Sequence, residues 1–290
     1  MPRILIAGCG YVGQAAADLY HAAGWAVEGW TRSAESIATL SAKPYPINEV
    51  DISRRAMVAE RTGTFDAVIH CASSSGGDAE MYRQVYLDGA RNLLEEFSGS
   101  KLLFTSSTSV YAQGDGWWVT EESETRPTRE TGQILLETEG LVLANGGIVA
   151  RLAGIYGPGR SALLTKFVEG TAIIDEENDR FVNQVHRDDI AAALFLLLSQ
   201  EGHSNQIYNV VDDEPTLQSE CYRWLAQRLN RPLPPIGKSK ERRKRGDANK
   251  RVSNAKLHRL GWTPRYPIFR DAMEKSVLPS FADIISRSSH

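Results

Sequence analysis

The run Ile4-Leu-Ile-Ala-Gly-Cys-Gly-Tyr-Val-Gly13 constrains this chain more than any other stretch. An apolar piece, Ile4 to Ala7, leads through glycines into Gln14-Ala-Ala-Ala-Asp-Leu-Tyr-His-Ala-Ala-Gly24. The first piece reads as a buried parallel strand and the second as a helix closed by a glycine. Gly8, Gly10 and Gly13 stand at G-x-G-x-x-G spacing. In that arrangement the first glycine permits a tight turn and the second lets backbone approach a pyrophosphate. The third lets the helix pack close to the strand. Tyr11 and Val12 open the helix, whose first N–H groups and positive dipole end suit phosphates. A strand before and a helix after are the context that turns this motif into a dinucleotide site rather than a glycine turn without a ligand.

The rest of the composition fits that reading. At 290 residues the chain exceeds one typical domain and can bury a sizeable core. A net charge of −3 argues against a general nucleic-acid or membrane-surface binder. No apolar run approaches the roughly 20 residues of a membrane span, and the first strand begins where a signal peptide would stand. Cys9, Cys71 and Cys221 show neither C-x-x-C pairing nor metal spacing, so we expect a reducing cytoplasm, buried thiols and no metal. Cys9, inside the glycine loop, reads as a small apolar filler.

The second strand, Ala26 to Trp30, runs into Thr31-Arg32-Ser33. At this place in a dinucleotide fold, an acid holds the ribose 2′-OH of NAD and an arginine accommodates the 2′-phosphate of NADP. Glu28 falls too early, in mid-strand. Arg32 offers a charged planar fork, and Thr31 and Ser33 add hydroxyls, so the pattern favours NADP(H) over NAD(H). The competing role for Arg32 is a solvated surface charge. Asp51, after a weak third strand over 45–50, either bonds the adenine amino group or caps the following helix. The fourth strand, Phe65 to Ala72, leads into a small-residue loop whose Ala72 and Ser73 are placed to lie along the cofactor. His70, within that strand, reads as a core histidine. A helix follows over 79–97, with apolar residues at helical spacing.

The fifth strand, Lys101 to Thr105, ends in Ser106-Ser-Thr-Ser-Val-Tyr111, hydroxyls where open α/β sheets place their ligands. Trp117 and Trp118 either line a pocket or anchor a long loop. A helix over 131–143 and a sixth strand over 148–152 come next. Asp188 or Asp189 reads as the N-cap of an apolar helix over 190–198. A seventh strand covers 206–211. Alternation of strand and helix implies a doubly wound parallel sheet with right-handed crossovers. The basic run Lys238, Lys240, Arg242, Arg243, Lys244, Arg245 is either a solvated loop or a site for a phosphate-bearing substrate or partner; nucleic acid is the least favoured alternative, since the net charge and the lack of interleaved aromatics oppose it.

These motifs, with Gly89-Ala-Arg-Asn-Leu-Leu94, Arg151-Leu-Ala-Gly-Ile-Tyr-Gly-Pro-Gly159, Val185-His-Arg-Asp-Asp189, Ile207-Tyr-Asn-Val210 and Lys250-Arg-Val-Ser-Asn254, resemble the extended short-chain dehydrogenase/reductase superfamily. Within it they are similar to the NAD-dependent epimerase/dehydratase group and its YeeZ-like branch. The resemblance covers nearly the whole chain. It implies a Rossmann domain over 1–156 and 184–211 and a smaller substrate-binding domain over 157–183 and 212–290, with the nicotinamide end in the cleft between them. It also implies a small-molecule substrate and a homodimer formed through two helices, one carrying Thr131.

The resemblance further implies a catalytic Ser, Tyr and Lys, the last two as Tyr-x-x-x-Lys on one helix face. The serine maps to Ser107. The Tyr-x-x-x-Lys helix maps onto Thr131-Gly-Gln-Ile-Leu135, so Thr131 stands for tyrosine and Leu135 for lysine. No Tyr-x-x-x-Lys occurs anywhere in the sequence. The family's helix-four Asn maps to Tyr86. Tyr111 and Tyr156 follow strand ends, and Tyr111 is the candidate replacement phenol, against a pocket-lining or structural role. Two functions follow as expectations. One is an oxidoreductase or epimerase/dehydratase-like enzyme with altered acid–base chemistry. The other is a catalytically silent dinucleotide-binding sensor or scaffold.

Overall fold

The computed structural model describes residues 1–61, 63–74, 76–238 and 248–287. Strands β1 (Arg3–Ala7), β2 (Ala26–Thr31), β3 (Ile47–Glu49), β4 (Ala67–His70), β5 (Lys101–Ser107), β7 (Ile148–Leu152) and β11 (Gln206–Val210) make a seven-stranded sheet in the order β11-β7-β5-β4-β1-β2-β3. Pairings from β3 across to β7 are parallel. The central strands are apolar because both sheet faces are covered. Ile4, Leu5 and Ile6 of β1, and Val68 and Ile69 of β4, are wholly buried. This is the doubly wound parallel sheet that the alternation predicts.

The helices that position the cofactor end are α1 (Tyr11–Ala22), α2 (Ala34–Leu40), α3 (Arg55–Ala59), α4 (Ala79–Tyr82) and α5 (Gly89–Glu96). The long helix expected over 79–97 is continuous in direction but not in kind: a π-helical turn, Arg83–Asp88, joins α4 to α5. Helix α6 (Glu130–Ala144) packs against β5, β7 and the 3₁₀ turn Thr108–Val110. Helix α8 (Arg187–Ser199) starts earlier than its apolar stretch suggests.

The chain divides into two compact units. The first comprises Met1–Val110, Thr125–Leu152 and Ile190–Tyr208. The second comprises Tyr111–Glu124, Ala153–Asp189 and Asn209–His290. Tyr111–Glu124, expected with the first domain, groups with the second unit. The second unit carries short strands β6 (Trp118–Val119), β8 (Gly154–Tyr156), β9 (Phe181–Val182), β10 (Gln184–His186), β12 (Thr216–Leu217) and β13 (Arg251–Val252), paired as β8–β10, β9–β12 and β6–β13. Helices α7 (Ala162–Val168) and α9 (Gln218–Leu229) pack on each other over an apolar core with Tyr156, Phe167, Tyr222 and Phe269.

Candidate functional site: a glycine loop and helix α6

In the first unit, β1 turns into α1 through Gly8, Cys9 and Gly10. Gly8 has φ +105°, and a Cβ there would lie 2.2 Å from the Ala72 nitrogen, so only glycine lets β1 meet the end of β4. A Cβ on Gly13 would lie 2.2 Å from the Gly8 carbonyl oxygen. That is the close helix–strand approach the third glycine is needed for. The Trp30 carbonyl accepts from the Gly8 and Cys9 N–H groups at 3.1 and 2.7 Å, which ties the turn to β2. Cys9 is buried, and burial pushes its thiol up to about 11, consistent with an apolar filler.

Gly10 differs from its neighbours. A Cβ there would meet no atom within 4 Å. The loop is jammed on the protein side and open on the other. Helix α1, with Tyr11 and Val12 in its first turn, carries no acidic residue there. Its positive end is therefore not neutralised locally. After β4, Ala72 touches Gly8, Ser73 is exposed, and the Ser74 hydroxyl is buried without a hydrogen-bond partner among the described residues. An open backbone cradle and an orphaned buried hydroxyl beside it fit a dinucleotide diphosphate.

At the end of β2 the Glu28 carboxylate is already engaged, accepting from Trp30 Nε1 at 2.8 Å and Asn48 Nδ2 at 2.9 Å. Thr31 is half-buried at the strand end. Arg32 is exposed, and its Nη1 donates to Met81 Sδ at 3.8 Å. Ser33 caps α2, accepting from the Ser36 N–H. Asp51 binds the Ser53 N–H and hydroxyl at 3.1 and 2.7 Å, so it holds the turn before α3 rather than capping the helix itself. His70 is wholly buried; its Nε2–H donates to the Tyr86 carbonyl at 3.3 Å, and desolvation lowers it to about 4. It is a neutral core histidine, stacked on the ring of Tyr86.

Ser107, half-buried at the end of β5, accepts from the Ser109 N–H at 3.2 Å. That local bond uses its oxygen and leaves the hydroxyl hydrogen free to donate. Thr131 is half-buried on α6 and Leu135 is 5% exposed. Further along the same helix Glu139 is buried and grips Arg151 of β7, with Nη2–Oε2 at 2.6 Å and Nε–Oε1 at 3.1 Å. Ser106 donates to Glu139 Oε1 at 2.5 Å. Sequence reasoning misses this cluster. Its one signal is Glu139 two helical turns past Thr131, on the face turned to the sheet.

The structure bears on three expectations in the second unit. Tyr111 is wholly buried and its hydroxyl donates to Asn209 Oδ1 at 2.9 Å, an arrangement that suits the structural alternative. Asp189 lies inside the first turn of α8 and accepts instead from the Arg265 and Tyr266 N–H groups at 2.6 and 3.1 Å. Burial holds its carboxyl up at about 6. Trp117 and Trp118 are 70% and 52% exposed, so the rings are not the anchor. The loop is held by β6–β13 pairing and by buried Val119. Of the basic run, Lys238 is exposed and pairs with Glu177 at 3.0 Å; Lys240, Arg242, Arg243, Lys244 and Arg245 lie outside the described residues.

The same unit holds a line of Ser276, His186 and Asp188. His186 is buried, and its Nδ1 accepts from the Asp188 N–H at 3.2 Å. The ring proton is then on Nε2, which donates to Ser276 Oγ at 2.9 Å. In this tautomer the ring has no lone pair toward the serine, so the trio is not a nucleophilic triad. Tyr156 Oη and Asp212 Oδ1 are buried without partners among the described residues, and burial raises both groups well above their ordinary values.

Residues 4–210 match the NAD dependent epimerase/dehydratase family. The chain belongs to that family. It is 27% identical over 279 residues to protein YeeZ of Escherichia coli K12, covering 92% of this chain and 97% of that one. A conserved protein of unknown function from Silicibacter pomeroyi has the same fold at 26% identity and a TM-score of 0.76, covering 94% of this chain and 97% of that chain. The UDP-glucose 4-epimerase of Thermus thermophilus, solved with NAD, superposes with a TM-score of 0.80 over 99% of each chain at 21% identity, a likeness of fold. An NAD(P)-type nucleotide cofactor goes with the family. No helix of the described residues is long and apolar enough to cross a membrane, and no group of three or more metal-ligating side chains occurs among them.

Proposed function

We propose that this family member binds NADP(H) in preference to NAD(H) and acts on a small molecule as an oxidoreductase or epimerase/dehydratase-like enzyme without a tyrosine–lysine relay. The observation that carries the cofactor part is the one-sided glycine loop: Gly8 and Gly13 are sterically obligatory while Gly10 faces open space. Gly8, Gly10, Tyr11, Val12 and Gly13 would hold the diphosphate, with Ala72 and Ser73 beside it. Thr31, Arg32 and Ser33 would take the 2′-phosphate, and Asp51 stands at the adenine corner. An engaged Glu28 and an Arg32 with no carboxylate partner among the described residues support the phosphate-bearing cofactor.

When bound, the nicotinamide supplies hydride transfer. Of the expected catalytic set, Ser107 remains as a donor to a substrate oxygen. Thr131 has no accessible pKa near neutrality, and Leu135 can neither shift a pKa nor bond a ribose. The two therefore remove the proton relay that the family's fold is built to carry. The seat of Tyr111, buried on Asn209, favours a second reading, a dinucleotide-binding sensor or scaffold without turnover.

The test is a panel of aldehydes, ketones and sugar nucleotides assayed with NADPH and NADP. Turnover that falls at least tenfold in Ser107→Ala supports the enzyme. Tight cofactor binding with no turnover of any member supports the silent protein. The three free thiols agree with the reducing cytoplasm proposed for it.

A further inference from the structure

Of the chain's ten tyrosines, all but Tyr11, Tyr82 and Tyr86 are buried. Tyr11 and Tyr82 are engaged with neighbours. Tyr86 is half-buried, and its hydroxyl has no hydrogen-bond partner among the described residues. It differs in this from Tyr111, whose hydroxyl is bonded, and from Tyr156, which is wholly buried.

Tyr86 stands in the π-helical turn Arg83–Asp88 between α4 and α5. A π turn widens a helix locally and occurs frequently at functional sites. This one packs against α6, the helix of Thr131 and Leu135, and its Arg83 pairs with Glu137 of α6 at 3.1 Å. The Tyr86 ring is held by three others. His70 stacks on it at 6.3 Å between centroids, Phe104 meets it edge-on at 6.1 Å, and Tyr82 lies at 4.9 Å. His70 also holds the main chain, its Nε2–H donating to the Tyr86 carbonyl at 3.3 Å. The ring is thus fixed while the hydroxyl is uncommitted.

Those neighbours place the ring. His70 of β4 and Phe104 of β5 are paired in register. His70 comes two residues before Ala72, which touches Gly8, and Phe104 three residues before Ser107. Tyr86 therefore lies against the two strands whose ends carry the glycine loop's neighbour and the candidate serine. A phenol is far more acidic than the hydroxyls of Ser107 and Thr131, and it can hold the charge left by a departing proton.

We propose that Tyr86 is the acid–base residue of this protein and that its substrate carries a carbonyl group. The carbonyl carbon accepts a hydride with its electron pair and forms a C–H bond. The C=O π pair moves to oxygen and takes the Tyr86 proton, forming an O–H bond. The phenolate regains a proton from water, which a half-buried ring allows. The carbonyl is reduced to an alcohol with oxidation of the reduced dinucleotide. The assignment deepens the proposed function and rests on it. It needs no lysine on α6.

The test uses the full chain with tyrosine labelled with carbon-13 at Cζ. The Tyr86 resonance is the one missing from Tyr86→Phe, and its titration is followed with and without saturating NADP. The oxidised nicotinamide ring is positively charged, so the midpoint must fall by about 1 pH unit or more when the phenol lies beside it. An unmoved midpoint with NADP bound overturns the proposal and leaves the cofactor reading standing. Absence of NADP binding, read separately by calorimetry, removes the cofactor reading and this assignment with it. Turnover gives the second arm. On each carbonyl that wild type reduces with NADPH, Tyr86→Phe must lose at least about 100-fold in kcat, the low end for a general acid. Its KM and melting temperature stay unchanged, because the ring stacking is kept and the lost hydroxyl bonds nothing in the fold. A variant that turns over like wild type overturns the role of Tyr86 and leaves the enzyme reading intact. If wild type reduces no carbonyl of the panel, the assignment is overturned whatever the titration shows.

Discussion

The glycine loop and helix α6 are both parts of the first unit, and the proposed function gives them opposite fates. In the loop the work is done by backbone: N–H groups, a left-handed φ at Gly8, and close approach at Gly13. A side chain at either of those glycines collides with main chain, so the pattern is intact. On α6 the positions at issue in the proposed function, Thr131 and Leu135, are side chains on one helix, so exchanging them would change the chemistry and leave the helix in place. What α6 keeps is its structural grip, Glu139 on Arg151 and Ser106. Under the proposed function, cofactor binding and catalysis are separable, because one would rest on backbone geometry and the other on replaceable side chains.

The largest expected effect tests that structural grip. Glu139→Gln leaves the buried Arg151 guanidinium without its counter-charge. It should cost about 3–5 kcal/mol in denaturant unfolding. A loss below about 1 kcal/mol would mean that α6 is held by apolar contacts alone. Gly8→Ala comes next. Its Cβ meets Ala72 backbone, and the strained φ adds to the overpacking, so stability should fall by about 1–3 kcal/mol or more, with dinucleotide affinity falling too. Gly10→Ala sharpens the contrast. Open space around its Cβ predicts an unchanged melting temperature with affinity at least tenfold weaker, about 1.4 kcal/mol. Equal damage to both properties would remove the one-sided account of the loop.

A smaller effect concerns the second unit. Burial raises the Asp212 carboxyl in the folded state, so the folded unit binds a proton more tightly than the unfolded chain. Its contribution is greatest at low pH and is lost as pH rises through the folded value. Asp212→Asn mimics the protonated acid. It should flatten that decline, so the variant gains on wild type as pH rises from about 4 toward neutrality. A variant that loses ground over the same window would contradict a buried neutral carboxyl.

The same division explains what could be read in the sequence. The succession of strands along the chain, the glycine turn and the His70 core position follow from apolar runs and spacing, which are local. The roles of Asp189 and Tyr111 depend on partners far along the chain. Asp189 has the sequence look of a helix cap, yet its carboxylate serves the N–H groups of Arg265 and Tyr266. Tyr111 has the look of a reactive phenol at a strand end, and its contact with Asn209, 98 residues further along, is invisible in the sequence. The tryptophan pair misleads for the converse reason: large rings suggest burial, and here backbone pairing does the anchoring.

The central proposal is that this chain keeps its dinucleotide site and works without the relay. Calorimetric titration of the full chain with NADPH, NADP, NADH and NAD, repeated on Arg32→Ala, tests it most directly. The account predicts saturable binding, tightest for the 2′-phosphorylated pair, with that preference lost in the variant. Preference for NAD(H) unaffected by the variant would overturn the role of Arg32. Binding of none of the four would contradict the central claim itself.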